Sequence, residues 1–119
     1  MRAALYVRVS TDRQQHAQTI EQQVTQLRSY VAAHQGWTVA AEHVFRDDGY
    51  SGAKLDRPGL DALRDQAARA AFDVVLVTAP DRLARNFVHQ MVVLEELERR
   101  GVRVVFIDRP SATTRTSSW

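Results

Sequence analysis

The sequence predicts an α/β fold, a three-layer sandwich with helices on both faces of a mainly parallel sheet of four or five strands. Short apolar segments rich in valine alternate along the chain with longer segments in which apolar residues recur at helical spacing. The chain has 119 residues, of which 45% are hydrophobic. A chain of this length and composition is expected to fold around a single core.

Four segments have the character of strands. Residues 3–9 (AALYVRV) and 73–78 (DVVLVT) are nearly continuous apolar runs, as in the middle of a parallel sheet. Residues 37–45 (WTVAAEHVF) alternate, and residues 102–108 (VRVVFID) form the last predicted strand. A turn-rich loop is expected from residue 46 to residue 57.

Three segments have helical periodicity. The first follows Thr19, which forms a capping box with Gln22, and ends near Gly36. The second begins at Pro58 and has one apolar stripe, formed by Leu60, Leu63, Ala67 and Ala70. The third follows residue 86 and ends before Gly101, with a broad apolar face formed by Val88, Met91, Val92, Leu94 and Leu97.

An arginine interrupts the first apolar strand. Because strand side chains alternate between faces, Leu5 and Val7 point to one side, and Tyr6, Arg8 and Ser10 point to the other. Arg8 and Ser10 are therefore neighbours, roughly 7 Å apart on one face. A charge placed there needs a partner, and an anion bound at the end of the strand would supply one.

Ligands of open parallel sheets bind beyond the carboxyl ends of the strands. Three segments reach that edge here, residues 8–13, 47–57 and 79–86, and each carries arginine. Arginine presents a fork of donors that fits phosphate oxygens and stays protonated at any working pH. An ion pair between Asp81 and Arg85 on the surface is the simpler interpretation of the third segment.

A serine among arginines, with no histidine nearby and no GxSxG elbow, is poorly suited to acyl transfer. Attack on a phosphodiester makes a different demand, because negative charge accumulates on the phosphate oxygens and must be met by fixed positive donors. Arginines meet that demand without magnesium. The arginine-lined edge therefore favours phosphoryl transfer.

Composition excludes several other classes of function. The chain has no cysteine, so it has no disulfide and no thiol nucleophile, and its four histidines are scattered without metal-ligand spacing. We expect neither a metal nor a cofactor. No signal peptide and no membrane span is evident, which favours a cytoplasmic protein. Fifteen of the sixteen lysine and arginine residues are arginine, yet the net charge is only +2.

Four motifs together resemble a known family. YVRVSTDRQ, TIEQQ, FRDDGYSGAKLDRPGLDAL and APDRLAR are similar, in order and spacing, to the N-terminal catalytic domain of serine site-specific recombinases: resolvases, invertases and large serine integrases. The resemblance covers residues 2 to about 108. The loop in the third motif is more similar to large serine recombinases and related transposases than to small resolvases.

The resemblance implies a role for each matching residue. Ser10 would be the nucleophile that attacks a DNA phosphate, forming a 5′-phosphoserine link and freeing a 3′-hydroxyl. Four guanidinium groups would surround the phosphate: Arg8, Arg57, Arg82 and Arg85. Asp81 would orient an arginine or handle a proton, and Gln23 would help to arrange the site. The general base for Ser10 is not fixed by the residues or by the resemblance.

The resemblance also implies partners. Double-stranded DNA is the expected substrate, and the family works as homodimers and homotetramers that exchange and religate strands without ATP. We expect residues 1–108 to form the catalytic domain and residues 109–119 either a disordered tail or the truncated start of the next element. Family members continue into an oligomerisation helix and a DNA-reading region. The chain by itself is therefore expected to be a monomer or weak dimer with little or no recombination activity.

Two alternatives belong to other functional classes. One is a non-catalytic, receiver-like phosphate-binding module in which Asp47 and Asp48 hold magnesium at a strand end; the glycine-rich phosphate loop GxGxxG is missing, however. The other is a regulatory fragment that pairs with longer partners through an exposed apolar face. The second alternative does not need Ser10.

Overall fold

The structure, a computed structural model, describes residues 1–9, 20–48, 58–84 and 86–107, with only the backbone of Asp48 and Asp81. These residues form four strands and four helices: β1 (Arg2–Val9), α1 (Ile20–Ala32), β2 (Thr38–Asp48), α2 (Pro58–Ala68), β3 (Val74–Val77), α3 (Pro80–Leu83), α4 (Phe87–Arg99) and β4 (Arg103–Phe106). None of the helices in these ranges is long and apolar enough to cross a membrane.

The strands form one parallel sheet in the order β2-β1-β3-β4. Its central pair is β1 and β3, whose residues are all buried apart from Arg2, as expected for strands covered on both faces. The last register pair between them is Leu5 with Leu76, whereas β1 stays paired with β2 as far as Val9. The carboxyl end of β1 thus extends beyond that of β3. The predicted α/β fold with a parallel sheet is confirmed.

Helices cover both faces of the sheet. On one face α2 and α4 pack against β1, with Leu63 and Leu97 in the same buried cluster as Tyr6. On the other face lies α1, where Leu27 shares a cluster with Leu5. Tyr6 and Leu5 thus point to opposite sides, as the predicted strand alternation requires.

The second strand is longer than predicted. We assigned residues 46–48 to a loop because they are polar, but β2 continues through Asp48, which pairs with Val9. Asp47 is buried and forms hydrogen bonds there, so these polar residues are part of the edge strand of the sheet and not of a loop. The preceding register shift, between Ala3 and Leu5 on the β1 side, marks where the pairing of the two strands becomes irregular.

The second helix ends earlier than predicted. Ala70 was expected on its buried stripe, but α2 ends at Ala68, and Ala70 is exposed with φ at 56°. The amide of Ala70 donates to Ala67 and that of Ala71 to Gln66, which is the paired geometry of a Schellman helix end. The reversal brings Phe72 into the core, where it is 2% exposed.

The third predicted helix buries a different face. Of its predicted apolar residues only Leu97 is fully buried and Leu94 partly so, and Val93 takes the second buried position. The remaining three lie on the surface, together with Phe87 at the start of α4. Four apolar side chains therefore form an exposed row, which we call the α4 apolar row: Phe87, Val88, Met91 and Val92.

Candidate active site

Arg8 is almost completely buried at the carboxyl end of β1. Its exposed fraction is 1%, and it lies on the same face of the strand as Tyr6. Its Nε donates a 3.1 Å hydrogen bond to the main-chain oxygen of Arg82. A buried guanidinium is costly without partners, and this bond fixes the group close to the end of β3.

Arg82 lies on α3, a single helical turn that follows β3 directly. Ala79 is extended and Pro80 occupies the first helical position, which suits its fixed φ. From this turn Nη1 of Arg82 reaches back to the main-chain oxygen of Arg8, at 3.4 Å. The two arginines therefore each bond the main chain of the other, although 74 residues separate them in sequence.

Gln23 bonds the same stretch of β1 from α1. It is fully buried, its Oε1 accepts from the Arg8 amide at 3.4 Å, and its Nε2 donates to the Arg8 carbonyl at 3.1 Å. Because the pairing of β1 with β3 ends at Leu5, this carboxamide takes the place of the next strand. Arg8 is thereby fixed by side chain and main chain together.

Three of the seven predicted site residues are thus brought into direct contact: Arg8, Gln23 and Arg82. Ser10, Arg57 and Arg85 lie outside the described residues. Asp81 belongs to α3, but its side chain is not described. The catalytic roles of all seven stay predictions.

Asp47 of β2 pairs with Arg8 in the sheet register. Its structural role was not predicted from the sequence. It is 1% exposed and accepts three hydrogen bonds: from the Tyr6 hydroxyl at 2.7 Å, the Gly59 amide at 2.7 Å and the Leu60 amide at 3.0 Å. The two amides belong to the first turn of α2, so Asp47 caps that helix from a neighbouring strand. This use of its oxygens does not support the magnesium alternative.

The start of α2 lies very close to β2. A Cβ at Gly59 would be 2.5 Å from the main-chain oxygen of Arg46, so only glycine fits there without a backbone shift. One signal for the cap was present in the sequence: Arg57, directly before Pro58, is not a residue type favoured at the N-cap. A cap from elsewhere in the chain was therefore to be expected.

Metal-ligating side chains do not gather within the described ranges: no group of three histidine, cysteine or carboxylate residues there could hold an ion. The described residues bring guanidinium and carboxamide donors to the end of β1, and the Asp47 carboxylate beside them is occupied by its three hydrogen bonds. Such a group of donors suits an oxyanion such as phosphate.

Comparison with known proteins identifies the family and several relatives of this chain. The family described as "Resolvase, N terminal domain" matches residues 3–118. The chain is 35% identical over 108 residues to the transposon Tn3 resolvase of Escherichia coli, covering 91% of this chain and 51% of the resolvase. It is 31% identical over 106 residues to a putative DNA recombinase of Bacillus subtilis, covering 88% of this chain and 20% of that protein. The chain thus spans about half of the length of the first relative and a fifth of the length of the second.

Solved structures agree with the sequence comparison. The N-terminal catalytic domain of TP901-1 integrase superposes with a TM-score of 0.85 at 29% identity, covering 99% of this chain and 87% of that one. The C-terminal catalytic domain of ISC1926 TnpA, an IS607-like serine recombinase, gives a TM-score of 0.76 at 32% identity, covering 90% and 70%. The parallel sheet, the arginine pair at its edge and these matches lead to one conclusion: the chain belongs to the resolvase N-terminal domain family, the catalytic domains of serine recombinases.

Proposed function

We propose that this chain breaks and rejoins double-stranded DNA as the catalytic domain of a site-specific recombinase, with Ser10 as the nucleophile. The observation that carries the proposal is the placement of Arg8. Its buried guanidinium is held by Arg82 at the end of β1, two residues before Ser10 in the sequence. A positive group fixed two residues from a serine in the sequence suits attack on a phosphodiester.

In the proposed first step, Oγ of Ser10 forms a bond to phosphorus and the bond from phosphorus to the 3′-oxygen breaks. The 3′-oxygen leaves as a hydroxyl after taking up a proton, and the serine proton passes to a base that we do not assign. Negative charge grows on the non-bridging oxygens during this step. Arg8 and Arg82, with Arg57 and Arg85, stabilise that charge. Loss of one such preorganised donor typically costs about 3–4 kcal/mol of barrier.

Rejoining reverses the same chemistry. A 3′-hydroxyl attacks the phosphoserine, and Ser10 leaves with a proton. One phosphoester bond is exchanged for another in each direction, so no ATP is needed. Because DNA strands can change partners between the two steps, the sequence of reactions amounts to recombination.

Trapping the covalent intermediate tests this function. The chain, or a longer protein that contains it, is mixed with a duplex carrying a nick close to the scissile phosphate, so that the cleaved fragment diffuses away. We expect a serine adduct that maps to Ser10 by mass spectrometry and is absent with Ser10→Ala. Ser29→Ala, at an exposed position of α1, is the matched control and should leave the adduct intact. An adduct that persists with Ser10→Ala would contradict the proposal.

We further propose that this chain works in the cytoplasm within a homodimer and homotetramer, with a second copy packed on the α4 apolar row. Phe87 is 71% exposed and Val88 63%, and such a row is costly in water unless a partner covers it.

Sedimentation of the chain over a wide concentration range should show weak, reversible self-association. Met91→Glu should abolish that association, and Glu95→Gln, at an exposed position on the same helix, should not. A chain whose sedimentation is the same with and without Met91→Glu would contradict this assembly.

A further inference from the structure

The turn that carries Arg82 is too short to be stable by itself. Helix α3 contains four residues, and a single helical turn gains too few hydrogen bonds to offset the conformational entropy it loses. Its main-chain hydrogen bonds run from the Arg82 amide to the Ala79 carbonyl, at 3.0 Å, and from the Ala84 amide to the Pro80 carbonyl, at 3.1 Å. Contacts from outside the turn must therefore fix its position.

Burial supplies part of that support. Leu83 and Ala84 are fully buried, which holds the carboxyl end of the turn against the core. Hydrophobic contacts are not directional, however, and do not set the rotation of a single turn. A directional restraint is needed to place the Arg82 carbonyl where Arg8 can reach it.

Gln90 supplies such a restraint from the first turn of α4. Its Nε2 donates to the main-chain oxygen of Ala84 at 2.6 Å and to that of Pro80 at 3.4 Å. These carbonyls lie on either side of Arg82, one at the start of the turn and one just past its end. The end of α4 that carries Gln90 is itself fixed, because the Asn86 side chain accepts from the Val88 amide at 2.7 Å.

We propose that Gln90 is a positioning residue for the active site: its carboxamide holds the α3 turn so that Arg82 and Arg8 keep their mutual hydrogen bonds. Gln90 does not touch the reacting atoms in this proposal. It acts through the backbone of Pro80 and Ala84, and the Ala84 carbonyl belongs to the peptide bond that joins Ala84 to Arg85. The inference rests on the proposed function for its effect on DNA cleavage, but the restraint on the turn can be measured without DNA.

Gln90→Met is the primary test, because methionine is close to glutamine in size and helix propensity but has no N–H donor. Without DNA, amide hydrogen exchange at Ala84 should become about tenfold faster while the unfolding midpoint changes little. Gln26→Met, at an exposed position of α1, is the matched control and should leave that exchange unchanged. Gln90→Lys presents a donor to the same carbonyls and should restore most of the protection.

With DNA, Gln90→Met should form the phosphoserine adduct about tenfold more slowly at saturating duplex, with an unchanged Kd for the duplex. Gln90→Lys should recover most of the rate. The inference is overturned if Ala84 exchange is the same in Gln90→Met and the unmodified chain, or if exchange rises while the adduct forms at the normal rate. If neither the unmodified chain nor a longer protein that contains it forms an adduct, the proposed function fails, and the exchange measurement alone decides whether Gln90 restrains the turn.

Discussion

Arg8 and Arg82 each bond the main chain of the other, with Nε of Arg8 3.1 Å from the Arg82 oxygen and Nη1 of Arg82 3.4 Å from the Arg8 oxygen. A carbonyl partner fixes a guanidinium in place without adding a countercharge. The reciprocal pair therefore joins the end of β1 to α3.

Replacing Arg8 with lysine tests whether formation of the serine adduct needs the planar geometry of the guanidinium as well as its positive charge. Lysine keeps the positive charge, but its N–H groups all lie on one nitrogen, so it cannot bond the Arg82 oxygen and also present a coplanar pair of N–H groups from separate nitrogens. We expect Arg8→Lys to slow formation of the serine adduct about 100-fold in single-turnover assays. Arg28→Lys, on the exposed face of α1, is the control and should react at the normal rate. A normal rate with Arg8→Lys would show that charge alone is sufficient.

Gln23 is expected to contribute to stability as well as to the site. Gln23→Leu fills a similar volume but removes the acceptor of the Arg8 amide and one donor to its carbonyl, both buried. An unsatisfied buried amide costs about 1–3 kcal/mol, and urea denaturation should show a loss in that range. Gln26→Leu on the exposed face of the same helix should change the free energy of unfolding by less than about 0.5 kcal/mol. Equal losses in the two variants would contradict the strand-like role of Gln23.

Several features of this arrangement could be predicted from the sequence. Alternating apolar segments indicated the parallel sheet, and the rule for its carboxyl edge led to Arg8 and Arg82 as neighbours. Strand alternation also placed Tyr6 and Arg8 on one face. These features depend on local periodicity and on topology, which leave a clear pattern in the order of residues.

Other features depend on contacts that leave no such pattern. Asp47 caps a helix that begins eleven residues beyond it, and Gln90 bonds main-chain carbonyls of a preceding turn. A side chain can bond a distant backbone atom wherever the fold brings the two together. Such a contact leaves no periodic pattern in the sequence from which it could be predicted. The buried face of α4 was predicted wrongly for a related reason. Valine occupies both the buried and the exposed side of that helix, so hydrophobicity did not select Val93 over Val92.

The Tyr6 and Asp47 pair offers a test of the helix cap. Asp47→Asn leaves a single oxygen for three donors and turns an N–H group toward one of them, so we expect a loss of about 2–4 kcal/mol in the free energy of unfolding. Tyr6→Phe removes only the hydroxyl and should cost about 1–2 kcal/mol. The two losses should not add, because Tyr6→Phe removes the 2.7 Å bond that Asp47→Asn weakens by replacing a charged acceptor with a neutral amide. A double variant whose loss equals the sum of the single losses would contradict the shared contact.

The contact between Arg2 and Asp73 should make the free energy of unfolding depend on pH. The Arg2 side chain and then its amide, by hydrogen bonding, hold the pKa of Asp73 below its ordinary value of 3.8. A carboxyl whose folded pKa is lowered stabilises the protein above its unfolded pKa, and the effect is lost as pH falls through the folded pKa.

Asp73→Asn should therefore lower the free energy of unfolding at pH 7, by less than about 1 kcal/mol because both side chains are about half exposed. The difference from the unmodified chain should shrink as pH is lowered through 4 toward 2. Urea denaturation at several pH values measures it. A difference that stays constant down to pH 2 would show that the carboxylate charge is not the cause.

The ends of α2 and α4 are built alike but with different residues at the position of positive φ. At the end of α4, Gly101 has φ at 79°, and the amide of the following Val102 donates to the Leu97 carbonyl. At the end of α2, Ala70 has φ at 56°, and the amide of the following Ala71 donates to the Gln66 carbonyl. The left-handed conformation costs alanine about 1 kcal/mol more than glycine. Helix α2 therefore ends on a strained residue where α4 does not.

Ala70→Gly should stabilise the protein by about 1 kcal/mol, since the relief of strain at this helix end outweighs the extra freedom of glycine in the unfolded chain. Gly101→Ala should destabilise it by about the same amount, because a Cβ there meets no atom within 4 Å and only the backbone is strained. Calorimetry should find shifts in Tm of about 4 °C in opposite directions. If Ala70→Gly lowered Tm, the entropy of the unfolded chain would outweigh the strain at the end of α2.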